Sequence, residues 1–285
     1  MARQPGWGSS TAALLVALLP AFAQASSGLG PGPESGTPPP WLRLAVDPSH
    51  PKLQQAARAA LHYFNYRSAS PSTFRTLKEV LGGTVWVNGK KGEKYELEFT
   101  VDNYKPGSNE ERLGTCSALV IFKDQKPKPA VNITCTRILS EKEREKEDYE
   151  LYKQMKQLKK NPGGIKIPDV FGYVDPSLQP LWHLAMIGSS YVMWEKTSKS
   201  LYYYLTQLNG VKQWVTSGNL IIFNYSILLH EFSTQEIILC RIHLLWYPSK
   251  PLKIWSFCPE PLTPGEGSGN SEASAETPTE ILSNF

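Results

Sequence analysis

The sequence predicts an α+β fold in which one pattern, a helix followed by about four antiparallel strands, is used twice. Three observations carry the prediction. Apolar stripes with helical spacing begin at Leu53 and again at Leu178. Strand-like segments punctuated by turn residues follow each stripe. Each half then closes on a short apolar stretch with a cysteine at both ends, "CSALVIFKDQKPKPAVNITC" from Cys116 to Cys135 and "CRIHLLWYPSKPLKIWSFC" from Cys240 to Cys258.

The helix of the first half is written in Leu53, Ala56, Ala57, Ala60, Leu61 and Phe64, and that of the second in Leu178, Leu181, Trp182, Ala185, Ser189, Val192 and Met193. From Leu53 to Leu178 the offset is 125. Trp86 and Trp214 stand 128 apart, Phe99 and Phe223 124, and Cys116 and Cys240 124. Four landmarks in one order at a nearly constant spacing indicate a duplicated unit. Only two copies are present, so the chain is not a solenoid.

A helix between the copies is predicted from Glu141 to Lys160, with Ser140 and Glu143 as a capping box and Asn161-Pro162-Gly163-Gly164 as its stop. Glu141 with Arg144 and Glu143 with Lys146 are i,i+3 ion pairs on a solvated face, while Leu151, Tyr152, Met155 and Leu158 form one apolar edge. At its full length of about 30 Å this helix could lie along both halves.

In the closing stretches, pairing the cysteines as opposed residues sets a register. Ala118 then faces Ile133 and Val120 faces Val131; Ile242 faces Ser256 and Leu244 faces Ile254. Almost every residue on the cysteine side is apolar, as a buried sheet face requires. Opposed antiparallel positions come within disulfide reach, so Cys116–Cys135 and Cys240–Cys258 are the expected bridges. No C-x-x-C spacing offers a zinc site in their place. The same register turns Asn132 of the sequon Asn132-Ile133-Thr134 away from the core, where a glycan fits; Asn224-Tyr225-Ser226 is a second sequon.

Composition agrees with a packed, oxidised body. The chain has 285 residues, 41% of them hydrophobic, and a net charge of only +4. Lys and Arg are interspersed with Asp and Glu along the chain, so nucleic acid is not an expected partner. Residues 1–25 read as a signal peptide or a retained signal-anchor: Arg3, an apolar run through Leu19, and Ala23-Gln24-Ala25. Attachment to a membrane through this segment therefore stays open, and the body is expected in the secretory pathway, secreted or membrane-anchored. Residues 26–46 and 259–285 are rich in Pro, Gly, Ser and Glu and are expected to be disordered. Between them the boundaries are 47–139 for the first unit, 140–164 for the connecting helix and 165–258 for the second unit.

Catalytic chemistry is missing. His230-Glu231-Phe232-Ser233-Thr234 begins like H-E-x-x-H, but Thr234 replaces the second histidine, so no metal site is expected. There is no nucleophile elbow, P-loop or dinucleotide fingerprint, and no cofactor is called for. The chain reads as a binder and not as an enzyme.

A helix on a curved antiparallel sheet closed by a disulfide-tied hairpin resembles a cystatin-like subdomain, and two in tandem joined by a helix resemble the latexin family. "IPDVFG" (Ile167 to Gly172), "SSYVMWE" (Ser189 to Glu195), "YSILLHEFSTQEII" (Tyr225 to Ile238) and "LLWYP" (Leu244 to Pro248) carry the resemblance. "EDYELYKQMKQLKKN" and cysteines in both halves are closer to its retinoid-responsive branch. The resemblance implies a protein inhibitor of zinc metallocarboxypeptidases, with such an enzyme as partner. It also implies that a hairpin loop of the second subdomain covers the enzyme's active-site funnel. The matching positions are His230, Glu231, Phe232, Ser233, Thr234, Gln235 and Glu236. The cystatin wedge Q-x-V-x-G is absent; Gln207-Leu208-Asn209-Gly210 lacks its valine and its spacing, so papain-type inhibition is not expected. The alternative is a non-inhibitory interaction or adhesion module of a secreted or membrane-tethered glycoprotein, using an outward face with Trp255 and Phe257.

Overall fold

The computed structural model describes residues 41–105, 110–124, 126–158, 166–215 and 219–259, all within one compact unit. The expected signal segment, most of 26–46 and nearly all of the 259–285 tail lie outside the described residues. In the first half, β1 (Leu42–Ala45), β2 (Arg75–Asn88), β3 (Gly92–Asn103), β4 (Leu113–Phe122) and β5 (Ala130–Cys135) form one antiparallel sheet in chain order, with α1 (Pro51–Ser68) between β1 and β2. After α2 (Glu141–Gln157) and α3 (Gln179–Lys196), β6 (Tyr203–Val215), β7 (Ile221–Glu231), β8 (Ile237–Trp246) and β9 (Lys253–Phe257) form a second antiparallel sheet, again in chain order. The fold is α+β with two antiparallel sheets.

Small residues set how closely α1 and α3 lie on their sheets. α1 starts with Pro51 in its first turn and buries Leu53, Ala56, Ala57 and Ala60 completely, so its backbone lies close on the sheet. In α3 the site equivalent to Ala60 is Gly188, where even a methyl group would stand 3.1 Å from Ile242 Cγ2. The central strands β7 and β8 bury every second residue; β7 places Ile221, Phe223, Tyr225, Ile227, Leu229 and Glu231 inward.

The paired strands correct the sequence alignment of the two halves. α1 and α3 start at Pro51 and Gln179 and end at Ser68 and Lys196, an offset of 128, so Leu53 corresponds to buried Leu181; Leu178 lies in the 3-10 turn before α3. β2 carries bulges at Leu77/Glu79 and Val80/Gly82, and β6 carries them at Leu205/Gln207 and Leu208/Gly210, also 128 apart. Cys116 pairs with Phe99 but Cys240 pairs with Ile227, so Phe99 answers to Ile227 and not to Phe223. The offset falls from 128 to 124 because the β3–β4 connection, residues 104–112, has nine residues where β7–β8, residues 232–236, has five.

A second correction concerns residues 26–46. Leu42–Ala45 is not disordered but pairs with β2, Leu42 opposite Val87 through Ala45 opposite Thr84. Its side chains are exposed, so the backbone ladder and not burial holds it. The connecting helix, expected to run to Lys160, ends at Gln157 with Leu158 already in extended backbone, and residues 159–165 lie outside the described set.

Aromatic, polar and apolar contacts join the halves. Tyr63 and Tyr66 of α1 meet Trp194 and Tyr191 of α3 with ring centroids 4.9 and 4.8 Å apart. α2 opens with the Ser140–Glu143 capping box; its Asp148 accepts Ser70 Oγ and Ser72 N at 2.6 and 2.8 Å, and its Tyr152 packs edge-on to Trp246 at 5.6 Å. Finally, His183 of α3 reaches the first half. Its Nε2 donates to the Pro71 carbonyl at 2.9 Å while its ring stacks on Tyr104 and meets Phe74 edge-on. A carbonyl accepts only from a protonated nitrogen, so the neutral ring carries its hydrogen on Nε2.

Burial holds the His183 pKa down at about 4. Above pH 6.5 the ring is neutral in folded and unfolded chains alike, and stability is insensitive to it. As pH falls from 6.5 towards 4 only the unfolded chain takes the proton, so the folded state loses about 3 kcal/mol over that window. Buried His62 is held down at about 4 in the same way, so urea midpoints at pH 7.5, 6, 5 and 4.5 should show the sum of the two slopes, and His183→Leu should remove about half of it even if it lowers stability throughout.

Candidate functional site

The β7–β8 turn is built by continuing a strand one inward position too far for an apolar residue. After Leu229 the next inward side chain is Glu231, which is fully buried. Its carboxylate accepts Thr234 N at 2.6 Å, Thr234 Oγ1 at 2.8 Å and Tyr202 N at 3.1 Å. Burial alone would raise the Glu231 pKa, but the backbone donors of Thr234 and Tyr202 and the Thr234 hydroxyl outweigh it and hold it at about 2. Glu231 N also donates to Glu236 O at 2.9 Å, closing the turn on itself.

Two tyrosines of the neighbouring strand brace the flanks. Tyr203 Oη donates to Glu236 Oε2 at 2.7 Å, and Tyr204 Oη lies 2.5 Å from His230 Nδ1. Gln235 takes a left-handed backbone (φ 60°) and its Nε2 donates to Phe232 O at 2.6 Å. The structure thus divides the seven expected residues. Glu231 is inward and structural, His230 and Glu236 are braced, and Phe232, Ser233, Thr234 and Gln235 stand exposed, Phe232 at 69%. The bracing tyrosines were missed by sequence reasoning; the run Tyr202-Tyr203-Tyr204, opposite His230 and Glu231 in register, is the signal that could have found them.

The other expected positions lie apart from this turn. Both disulfides, Cys116–Cys135 and Cys240–Cys258, are present, and the chain has no free cysteine. Asn132 is exposed on the edge strand β5. Asn224 is half-buried on β7 between Lys212 and His243, with its Oδ1 2.6 Å from His243 Nδ1. Trp255 and Phe257 are exposed on β9, on the same outward side as Ile237 and Leu239 of β8. Among the described residues no three His, Cys, Asp or Glu gather as a metal site, and no helix is long and apolar enough to cross a membrane.

A family model described as Latexin matches residues 46–264. The chain belongs to the latexin family. Human retinoic acid receptor responder protein 1 is 57% identical over 237 residues, 82% of this chain and 80% of that protein. Chicken ovocalyxin-32 is 32% identical over 283 residues, 99% of this chain and all of that protein, and mouse latexin is 29% identical over 213 residues, 74% and 94%. Among solved structures, mouse fetuin-B bound to crayfish astacin covers 76% of this chain and 68% of its own at 14% identity and a TM-score of 0.31, too distant to bear on the argument. Membership in the latexin family thus rests on sequence.

Because Glu231 holds three donors of the turn, Glu231→Ala should lower stability by about 3 kcal/mol at pH 7, whereas Phe232→Ala, removing an exposed ring, should cost under about 0.5 kcal/mol. Urea denaturation of both variants against wild type checks the contrast.

Proposed function

We propose that this latexin-family chain is a protein inhibitor of zinc metallocarboxypeptidases and acts through the turn Phe232–Gln235, laid over the enzyme's active-site funnel. We also infer that its halves are tandem cystatin-like subdomains with α2 as connector. The supporting observation is a short turn whose base is held by a buried carboxylate and whose flanks are braced by Tyr203 and Tyr204, leaving four side chains outward. A rigid turn loses little conformational entropy on binding, which is what a loop inhibitor needs. The aromatic ring of Phe232 is the natural anchor for an apolar wall of the funnel. Nothing in the turn reacts, so the role is occlusion and not catalysis.

Two disulfides fit a body folded in a secretory or extracellular compartment. In this reading residues 1–25 deliver the chain there, as a cleaved signal or an anchor, and Asn132 carries the glycan on the open edge of the first sheet. The second reading, an adhesion module, has its own support: Ile237, Leu239, Trp255 and Phe257 expose apolar side chains on one face of the second sheet, beside Arg241 and His243.

Titrating purified chain against zinc carboxypeptidases of the secretory pathway separates the two. The inhibitor reading expects stoichiometric loss of activity with at least one such enzyme, weakened about tenfold or more by Phe232→Ala and unaffected by Trp255→Ala with Phe257→Ala. Full activity with every enzyme at micromolar excess would sink it and leave the apolar face as the interaction site.

A further inference from the structure

Three connections meet at one end of the molecule, and all are rich in lysine. The β2–β3 turn carries Lys90 and Lys91, both exposed. Gly92, next to them, has φ +103°, and a Cβ there would stand 2.0 Å from the carbonyl oxygen of Phe122, so this turn sits directly against the start of the β4–β5 connection. That connection supplies exposed Lys123, Lys126 and Lys128, and Lys128 N donates to Thr197 O at 3.0 Å, tying it to the end of α3. The segment from α3 to β6 adds Lys196 and Lys199, and Lys199 Nζ reaches back to Asp124 Oδ1 at 2.5 Å.

Seven lysines thus meet two facing carboxylates: Asp124 on Lys199 and Glu195 on Lys128. Nearby Glu93 is neutralised by Lys52 at 2.9 Å, whereas Glu236, bonded to the neutral Tyr203 hydroxyl, keeps its negative charge. Seven less the three carboxylates of Asp124, Glu195 and Glu236 leaves four positive charges at this end, as many as the net +4 of the entire chain. Lys90, Lys91, Lys123, Lys126 and Lys196 have no carboxylate partner among the described residues. Lys123, Lys196 and Lys199 line one crevice of about 430 Å3 with Ser198 and Ser200 at its wall.

We propose that this end of the molecule binds a sulfated polysaccharide, with the crevice between Lys123, Lys196 and Lys199 as the centre of the contact. The cations are all lysines, which act as point charges and lack the bidentate fork that reads one particular carboxylate or phosphate. Such a surface answers to charge density along a polyanion. The disulfides narrow the choice of polyanion. Nucleic acid does not share an oxidising compartment with this chain, and the anionic lipid leaflet faces the cytosol. Sulfated glycans are the dense polyanions that remain. The proposal does not depend on carboxypeptidase inhibition.

Chromatography of the full chain on immobilised heparin tests it. Wild type should be retained at physiological salt and elute later than from a sulfopropyl exchanger. Lys123→Ser with Lys196→Ser and Lys199→Ser should elute at distinctly lower salt, the slope of log affinity against log salt falling by roughly one per engaged lysine removed. Lys142→Ser with Lys146→Ser and Lys153→Ser, the same charge change on α2, should elute as wild type does. If the crevice variant misfolds, competition on wild type decides: heparin should displace it and desulfated heparin should not. Flow-through of wild type, equal shifts for the two triple variants, equal competition by desulfated heparin, or binding to phosphatidylserine vesicles without binding to heparin would each overturn the proposal.

Discussion

The structure depends on one constraint, the two-residue alternation of side chains along paired antiparallel strands. Once β4 and β8 turn their apolar residues inward, Cys116 and Cys240 are inward as well, and the ladder sets Cys116 opposite Cys135. The same count turns Asn132 outward. On β7 it drives the carboxylate of Glu231 into the interior, where nothing apolar could replace it without orphaning the donors of Thr234 and Tyr202. A slip of one residue would expose the core and bury the sequon together.

The helices obey a complementary rule. Alanines on α1 and Gly188 on α3 let each helix approach its sheet, while the aromatic residues on the remaining surfaces, Tyr63 and Tyr66 against Tyr191 and Trp194, hold the halves together. α2 adds polar contacts to the first half through Asp148 and apolar contacts to the second through Tyr152 and Met155. His183 belongs to the same junction, and its neutrality there makes the junction sensitive to acid.

Periodicity made the helices, the cysteine hairpins and the capping box of α2 legible, because each is a local pattern. The alignment of the halves was legible only to within one turn: helical spacing offers Leu178 and Leu181 alike, and the spacing of 124 that holds for the cysteines after the shorter connection does not hold for Phe99 before it. Leu42–Ala45 was illegible because its strand is held by backbone pairing, which leaves no mark in side-chain pattern. Within the candidate site the turn itself could be read, but not the roles inside it: Glu231 in sequence is one more polar loop residue, and only its inward phase makes it a support. The lysines are the clearest case. In sequence they are dispersed from Lys90 to Lys199 among acidic residues, and only the folding of three connections onto one end gathers them.

The central claim is that a rigid turn, and not the apolar face of β8 and β9, meets a zinc carboxypeptidase. Hydrogen–deuterium exchange of the chain with and without a saturating enzyme measures this directly. Protection concentrated in residues 232–236, with peptides covering Trp255 and Phe257 unchanged, is the predicted result. Protection confined to the Trp255 and Phe257 face, or no change in residues 232–236 under saturating enzyme, would contradict it.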